Sequence, residues 1–200
     1  MYPPAVLAKQ LASIADAAGA DFHARGRVLD DTVRSMRLAW QAEPTDDGTA
    51  ICAVPVDIPL LFGGTSKATV RRVAELGDGW VSGALRDYEA ETAFAQRIRR
   101  AWSEAGRAGA PRLHTCLNFA FDDGADEGRG HISRYYGFAP DYAELNIADL
   151  LTSAEDARRT VAAYDALGFD RLLFCSAVTS VDQVDRLADA VLAALVMNRR

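Results

Sequence analysis

Apolar residues recur every three to four positions near the start of the chain. This spacing predicts a helix over Val6 to Ala18, which Gly19 ends. A second helix is predicted over Asp21 to Trp40, because Asp21 is a favoured N-cap residue and an apolar stripe follows it. The polar segment 41–48 then predicts a loop.

The middle of the chain alternates short apolar runs with amphipathic stretches. Leu60-Leu61-Phe62 predicts a strand buried on both faces, and Ser66 to Leu76 predicts the helix that follows it. Gly79 to Val81 predicts a second, very short strand. A longer helix is predicted behind that strand, over Asp87 to Ala105.

The last part of the chain carries the strongest strand pattern and two helix-start signals. Apolar residues alternate with other residues over Leu113 to Phe121, as in a strand. Ser153-Ala-Glu-Asp156 resembles a capping box and begins a helix that Gly168 ends. Arg171 to Cys175 predicts the last strand, and Ser180-Val-Asp-Gln183 resembles a second capping box at the start of the terminal helix.

The predicted order is therefore two helices followed by four strand–helix units. Such alternation is typical of an α/β fold with a parallel sheet and helices outside it. The segment Thr49 to Val56 is a further candidate strand. We expect residues 1–200 to form a single domain, because the length suits one domain and no repeat of fixed period is present.

Composition and charge narrow the class of protein. Half of the residues are apolar and a quarter are charged, as in soluble globular proteins. The formal net charge of −6 argues against nucleic acid or an anionic membrane as the main partner, because both require a basic surface. No apolar run approaches the roughly 20 residues of a transmembrane helix, and Met1 to Pro4 does not resemble a signal peptide.

The cysteines and histidines predict no metal site. Cys52, Cys116 and Cys175 are widely spaced and form no CxxC pair, and the three histidines have no metal-ligand spacing. We therefore expect a protein of the reducing cytoplasm.

The clearest candidate for ligand chemistry is Gly63-Gly64-Thr65-Ser66, between a predicted strand and a predicted helix. Glycines allow a ligand to approach the backbone closely, and a helix N-terminus offers free N–H groups with a positive dipole end. Thr65 and Ser66 add hydroxyl donors, so the segment suits a phosphate. The same residues are also consistent with a tight turn that has a Ser/Thr cap and no ligand.

Several segments resemble, in the same order, motifs of the luciferase-like monooxygenases. These enzymes are flavin- or coenzyme F420-dependent oxidoreductases. The matching segments are Asp21 to Asp30 for "F-x-x-R-G-x-x-L-D-E", Pro59 to Gly64 for "P-P-I/L-L-V-G-G", Ala74 to Trp80 for "A-x-x-G-D-G-W", Asp170 to Ser176 for the final strand and Asp182 to Leu187 for the final helix.

The resemblance implies a fold of the (β/α)8 TIM-barrel type, of which this chain corresponds to the C-terminal half. A complete barrel takes about 250 residues. By this alignment the first three strands of the barrel are missing, and Ala18-Gly19-Ala20 stands where the fourth would be. The resemblance therefore implies a truncated, TIM-barrel-like α/β fold with about four parallel strands and flanking helices.

The resemblance also implies a cofactor, either FMN or coenzyme F420, between which the sequence does not choose. In related deazaflavin enzymes the Gly-Gly pair and the residues just after it bind the cofactor. The matching residues are Gly63, Gly64, Ser66 and Lys67, next to the hydroxyl donor Thr65. Gly83, just after the short second strand, is expected to line the same site. No residue is assigned a catalytic role.

Two further residues are candidate substrate contacts. Asn118 lies on one face of the strong strand, where it can reach a flavin edge if that face points into the barrel. Tyr135 belongs to an aromatic pair that can line a substrate pocket. Packing in the core is the alternative for Asn118, and aromatic helix packing is the alternative for Tyr135.

Two functions follow from these expectations. The first is a flavin- or F420-dependent oxidoreductase or monooxygenase that acts on a small organic substrate. The second is a degenerate, non-catalytic half-barrel that binds flavin weakly or serves as an assembly module. Because an open parallel sheet exposes its edges and apolar face, we expect the chain to form a homodimer or to pack elements of its own over the gap.

Overall fold

The computed structural model describes residues 12–41, 48, 54–83 and 85–197, with backbone alone for 193–197. A helix at residues 12–17 (α1) precedes a 3₁₀ turn at Phe22–Ala24 and helix α2, Arg25–Trp40. The later elements are, in chain order, β1 (Leu61–Gly63), α3 (Lys67–Glu75), β2 (Gly79–Val81), α4 (Tyr88–Glu104), β3 (Arg112–Phe119), α5 (Ala125–Tyr135), α6 (Pro140–Ala148), α7 (Ala154–Ala166), β4 (Arg171–Ser176) and α8 (Asp182–Met197).

The strands form one parallel sheet in the order β1-β2-β3-β4, so the α/β fold class is confirmed. Helices connect the strands, as parallel pairing requires. The connection from β3 to β4 holds three helices, and Leu151 within it forms a parallel bridge with Phe119 at the end of β3.

One face of the sheet carries the hydrophobic core. Every second residue of β3, from Leu113 to Phe119, is buried on the side that faces the helices. Trp80 of β2 packs beside them, with its ring centroid 4.9 Å from that of Phe94 on α4 and 6.1 Å from that of Phe169. This helix-facing core anchors the strand ends where the candidate site lies.

The opposite face of the sheet is open among the described residues. His114, Cys116 and Asn118 of β3 are only half-buried there, and on β4 Leu173 is 41% exposed and Cys175 is exposed. In a closed barrel such positions pack against side chains from the other strands. The prediction that residues 60–62 are buried on both faces was wrong, because β1 also borders this open face and is only half-buried.

Helix α2 is held to α3 and to the α3–β2 turn by ion pairs. The Asp30 carboxylate accepts hydrogen bonds from Nε of Arg72 and Nη2 of Arg71, each at 2.5 Å. Burial raises the pKa of Asp30, but hydrogen bonds from Arg72 and Arg71 outweigh it, so the pKa is lowered. Asp78 accepts the Leu60 backbone N–H at 2.7 Å and Arg37 at 2.5 Å. Asp78 therefore joins α2 to the segment that leads into β1.

Most helix ends fall where the sequence predicts them. The Ser153 hydroxyl caps α7 by accepting the Asp156 N–H at 3.1 Å, and Gly168 ends the helix in the left-handed region, with φ of 72°. The prediction of a second capping box at Ser180 to Gln183 was wrong. Gln183 is buried and accepts the Phe121 N–H at 2.7 Å instead of capping at Ser180.

Two further expectations concern residues 49–56 and membrane-spanning helices. The candidate strand Thr49 to Val56 lies mostly outside the described residues, and residues 54–56 are not in a strand. No described helix is both long and apolar enough to cross a membrane.

Candidate functional site

The turn between β1 and α3 places the predicted cofactor segment at the carboxyl end of the sheet. Gly64 has φ of 85°, a conformation that favours glycine. Its carbonyl oxygen accepts the Trp80 Nε1–H at 2.9 Å, so the turn is fixed to the core of β2. The Ser66 hydroxyl caps α3 by accepting the Thr69 N–H at 3.1 Å.

This turn has the donors that a phosphate group requires. The first turn of α3 leaves backbone N–H groups without helical acceptors, and the helix dipole makes that end positive. Thr65 is exposed beside it, and Lys67 at the first helical position is exposed as well. The residues present therefore fit a phosphate-bearing cofactor.

A cavity of about 730 Å³ lies next to the turn, at the carboxyl ends of β1 and β2. Thr65 and Trp80 border it on one side. Ser82, Gly83, residues 85–91, helix α6 and Asp149 form the rest of its wall. The apolar part of that wall includes Leu85, Tyr88, Tyr142 and Leu145. Active sites of barrel enzymes are built at this end of the strands.

Arg86 joins the cavity wall to helices α6 and α7. Its Nε–H donates to Asp149 at 2.8 Å, and its backbone N–H donates to the same carboxylate at 2.8 Å. Nη1 donates to Thr160 at 3.0 Å and contacts Asp156 at 3.3 Å. Burial alone would lower the pKa of Arg86, but Asp149 outweighs burial and raises it. The guanidinium is therefore charged and hydrogen-bonded to these partners.

Glu91 is the buried carboxyl of the cavity wall and has hydroxyl partners. Ser82 donates a short hydrogen bond to one of its oxygens, and the Tyr164 hydroxyl donates to the other at 2.7 Å. Ser82 in turn lies 2.7 Å from the Thr115 hydroxyl. Burial raises the pKa of Glu91, and the hydrogen bonds from Ser82 and Tyr164 offset only part of that shift. A raised pKa beside a cavity is common among residues that handle protons.

The structure brings some of the predicted site residues together and separates others. Thr65 and Gly83 both line the cavity, and Gly63, Gly64, Ser66 and Lys67 form the adjoining turn.

The two candidate substrate residues lie elsewhere. The Asn118 amide group donates to the Asn146 side chain of α6 at 3.4 Å, on the open face of the sheet. Tyr135 is 73% exposed and stacks edge-on against Tyr136, with ring centroids 4.8 Å apart. Neither residue lines the cavity.

Sequence inspection did not single out Glu91 or Arg86. The signal for Glu91 was present, because it precedes Phe94 and Ile98 at helical spacing and thus falls on the buried face of α4. No such signal exists for Arg86, whose partners are more than 60 residues away in the sequence. Within the described parts of the chain, no group of three or more His, Cys, Asp or Glu side chains is placed to hold a metal ion.

The parallel sheet, with a glycine turn and a cavity at its carboxyl end, defines an α/β protein of the TIM-barrel type. The chain belongs to the luciferase-like monooxygenase family, whose model matches residues 5–193. No curated protein sequence matches the chain.

Solved structures share this fold at low sequence identity. A monooxygenase from Streptomyces bottropensis superposes with a TM-score of 0.69 at 16% identity, over 92% of this chain and 65% of that one. An F420-dependent secondary alcohol dehydrogenase, in complex with an F420-acetone adduct, gives 0.64 at 14% identity, over 82% and 60%. EDTA monooxygenase from Chelativorans sp. BNC1 gives 0.60 at 12%, over 99% and 71%. The chain thus spans less than two thirds of the first two structures.

Proposed function

We propose that the chain is a flavin- or F420-dependent oxidoreductase that acts on a small organic substrate. The observation that carries this proposal is the β1–α3 turn, in which a left-handed Gly64 and the α3 N-terminus adjoin a cavity of about 730 Å³. The family match and the F420-bound relative support the same function.

In this proposal the turn holds the cofactor phosphate and the cavity receives the substrate. Gly63 and Gly64 let the phosphate approach the backbone, while Thr65, Ser66 and Lys67 supply hydroxyl, N–H and ammonium donors. In this proposal Gly83, which lines the cavity, lies between the bound cofactor and the substrate. A bound flavin or deazaflavin supplies the redox chemistry, and the chain supplies binding and orientation. One relative is a monooxygenase and another an alcohol dehydrogenase, so oxygen activation and hydride transfer both stay open.

Titration of the purified chain with FMN and with coenzyme F420 tests this proposal. We expect saturable binding of one cofactor. Lys67→Ala should weaken that binding roughly tenfold, because it removes a charge-assisted contact to phosphate. Arg100→Ala, which removes an exposed positive charge on α4, is the matched control and should have little effect. Failure of both cofactors to bind at high micromolar concentration would reject the oxidoreductase.

A second candidate function is a non-catalytic half-barrel that assembles through its sheet. The open sheet face with Leu173 and Cys175 favours it. We also propose a homodimer in either case, and residues 1–200 as a single domain that unfolds in one cooperative transition. The free thiols of Cys116 and Cys175 support a reducing compartment such as the cytoplasm.

A further inference from the structure

The apolar part of the cavity wall is preformed. The Tyr142 ring lies edge-on to Tyr136, with centroids 4.9 Å apart, and the Tyr88 ring lies edge-on to Tyr164 at 5.2 Å. Leu145 and Leu85 complete this wall. Pockets with rigid aromatic and aliphatic walls bind ligands that have an apolar body.

The charged part of the wall is unfavourable for anions. Asp87, Glu89, Glu91 and Asp149 line the cavity, and Arg86 is the one cation among its described lining residues. Arg86 is already bound by Asp149, Asp156 and Thr160. A carboxylate or phosphate in this cavity would meet the carboxylates of Asp87 and Glu89, and the one described lining cation already has acidic partners, which costs binding free energy.

Glu91 is the one buried acid among the described residues of this wall, whereas Glu89 is exposed to solvent. Asp149 is bonded to Arg86, and Asp87 caps α4 by accepting the Ala90 N–H at 3.0 Å. Glu91 is only 6% exposed and is bonded to the hydroxyls of Ser82 and Tyr164. A carboxylate has about four acceptor positions, so these two bonds leave capacity for a donor on the ligand. Hydroxyl partners can also rotate to suit either protonation state of Glu91.

We propose that the cavity binds a neutral or cationic amphipathic molecule, with an aromatic or aliphatic body and an amine or hydroxyl group that donates to Glu91. The inference deepens the proposed function, since it gives the substrate class of that site. It assigns anionic groups, including the cofactor phosphate, to the neighbouring β1–α3 turn.

Three probes of equal size test the ligand class. Benzylamine, benzyl alcohol and benzoate share one ring and differ in the charge of the polar group, and ligand-observed NMR measures their dissociation constants. We expect benzylamine to bind best, benzyl alcohol next, and benzoate at least roughly tenfold more weakly than benzylamine. Benzoate that binds as well as benzylamine, or absence of binding by all three at millimolar concentration, would overturn the proposal.

Two matched variants test the role of Glu91. Glu91→Gln keeps the shape and can still bond Ser82 and Tyr164, so circular dichroism should show a folded protein. It should weaken benzylamine binding roughly tenfold and benzyl alcohol binding less. Glu144→Gln removes an exposed charge of α6 outside the cavity lining and should change neither. Equal effects of the two variants would contradict a direct contact with Glu91.

The cofactor titration separates this inference from the proposed function. Benzylamine binding that depends on Glu91, without binding of FMN or F420, would leave the ligand class standing and reject the oxidoreductase. Cofactor binding without the predicted order of the three probes would support the oxidoreductase and reject the ligand class.

Discussion

At the scale of single residues, the geometry of the candidate site depends on the hydrogen bonds and contacts of a few side chains. Trp80 and Ser66 fix the β1–α3 turn, and both roles follow from residue types that the sequence displays. Gly64 likewise has the left-handed conformation that glycine at a turn suggests. Gly77 is different. Its φ is not positive, and glycine is required because a Cβ would lie 2.8 Å from the Phe62 ring, a contact that only the fold creates.

The buried Glu91 predicts a pH-dependent difference in stability. Its pKa is raised in the folded state, so the fold favours the neutral carboxyl. That stabilisation is fully present below the unfolded pKa of about 4.3 and is lost as pH rises through the folded pKa. Glu91→Gln, which stays neutral, should therefore gain stability relative to the unmodified chain as pH rises from about 4 to 7. Urea unfolding at several pH values measures the difference.

Glu144→Gln provides the comparison for this stability measurement. Glu144 is exposed on α6, so its substitution should give a difference that is nearly constant with pH. A Glu91→Gln curve parallel to that of Glu144→Gln would mean that the fold does not favour neutral Glu91.

At the scale of elements, the sequence predicts what depends on local periodicity. The alternation in β3 and the apolar stripe of α4 define those elements almost to the residue, because each reflects contact with one core. Gln183 was assigned to a local cap because its partner, Phe121, is 62 residues away. The bridge of Leu151 to β3 was missed for the same reason. Contacts across such distances have no periodic signature.

The attachment of α2 predicts that substitution of two neighbouring aspartates changes the stability of the fold by very different amounts. Asp30→Asn should destabilise the fold by about 1–3 kcal/mol, because it removes the half-buried bonds to Arg71 and Arg72. Asp31→Asn should cost less than about 1 kcal/mol, since the pair of Asp31 with Arg34 is exposed. Chemical denaturation of both variants checks the contrast. Similar losses at the two positions would show that Asp30 does not hold α2 in place.

Helix α5 contains two glycines at which replacement by alanine should change stability in opposite directions. A Cβ on Gly128 would lie 2.7 Å from the Ala120 Cβ, so Gly128→Ala should destabilise by about 1–3 kcal/mol through overpacking. A Cβ on Gly130 meets nothing within 4 Å, so Gly130→Ala should stabilise by about 0.5–1 kcal/mol through helix propensity. Thermal unfolding of the two variants gives the signs. A stabilising Gly128→Ala would mean that α5 is not packed on Ala120.

At the scale of the whole molecule, the alternation of strands and helices predicts the parallel sheet but not which of its faces is filled. A strand buried on both faces and a strand covered on one can have the same apolar run, as residues 60–62 show. The candidate site likewise has one part that the sequence predicts and one part that it does not. The glycine turn is visible in sequence, whereas the cavity needs α6 to return over residues 85–91.

The open face of the sheet predicts self-association. Leu173 and Cys175 are exposed there, and a second copy of the chain would remove them from water. We expect sedimentation velocity to show a monomer–dimer equilibrium that shifts with concentration.

Leu173→Glu should raise the dissociation constant at least roughly tenfold, because burying one leucine contributes about 1.5–3 kcal/mol. Leu192→Glu, at an exposed position of α8, should leave it unchanged if the sheet is the interface. A monomer at every concentration, or equal effects of the two variants, would exclude this face as the contact. Protection of the Cys175 thiol from alkylation should rise with the dimer fraction, which ties the association to this side of the sheet.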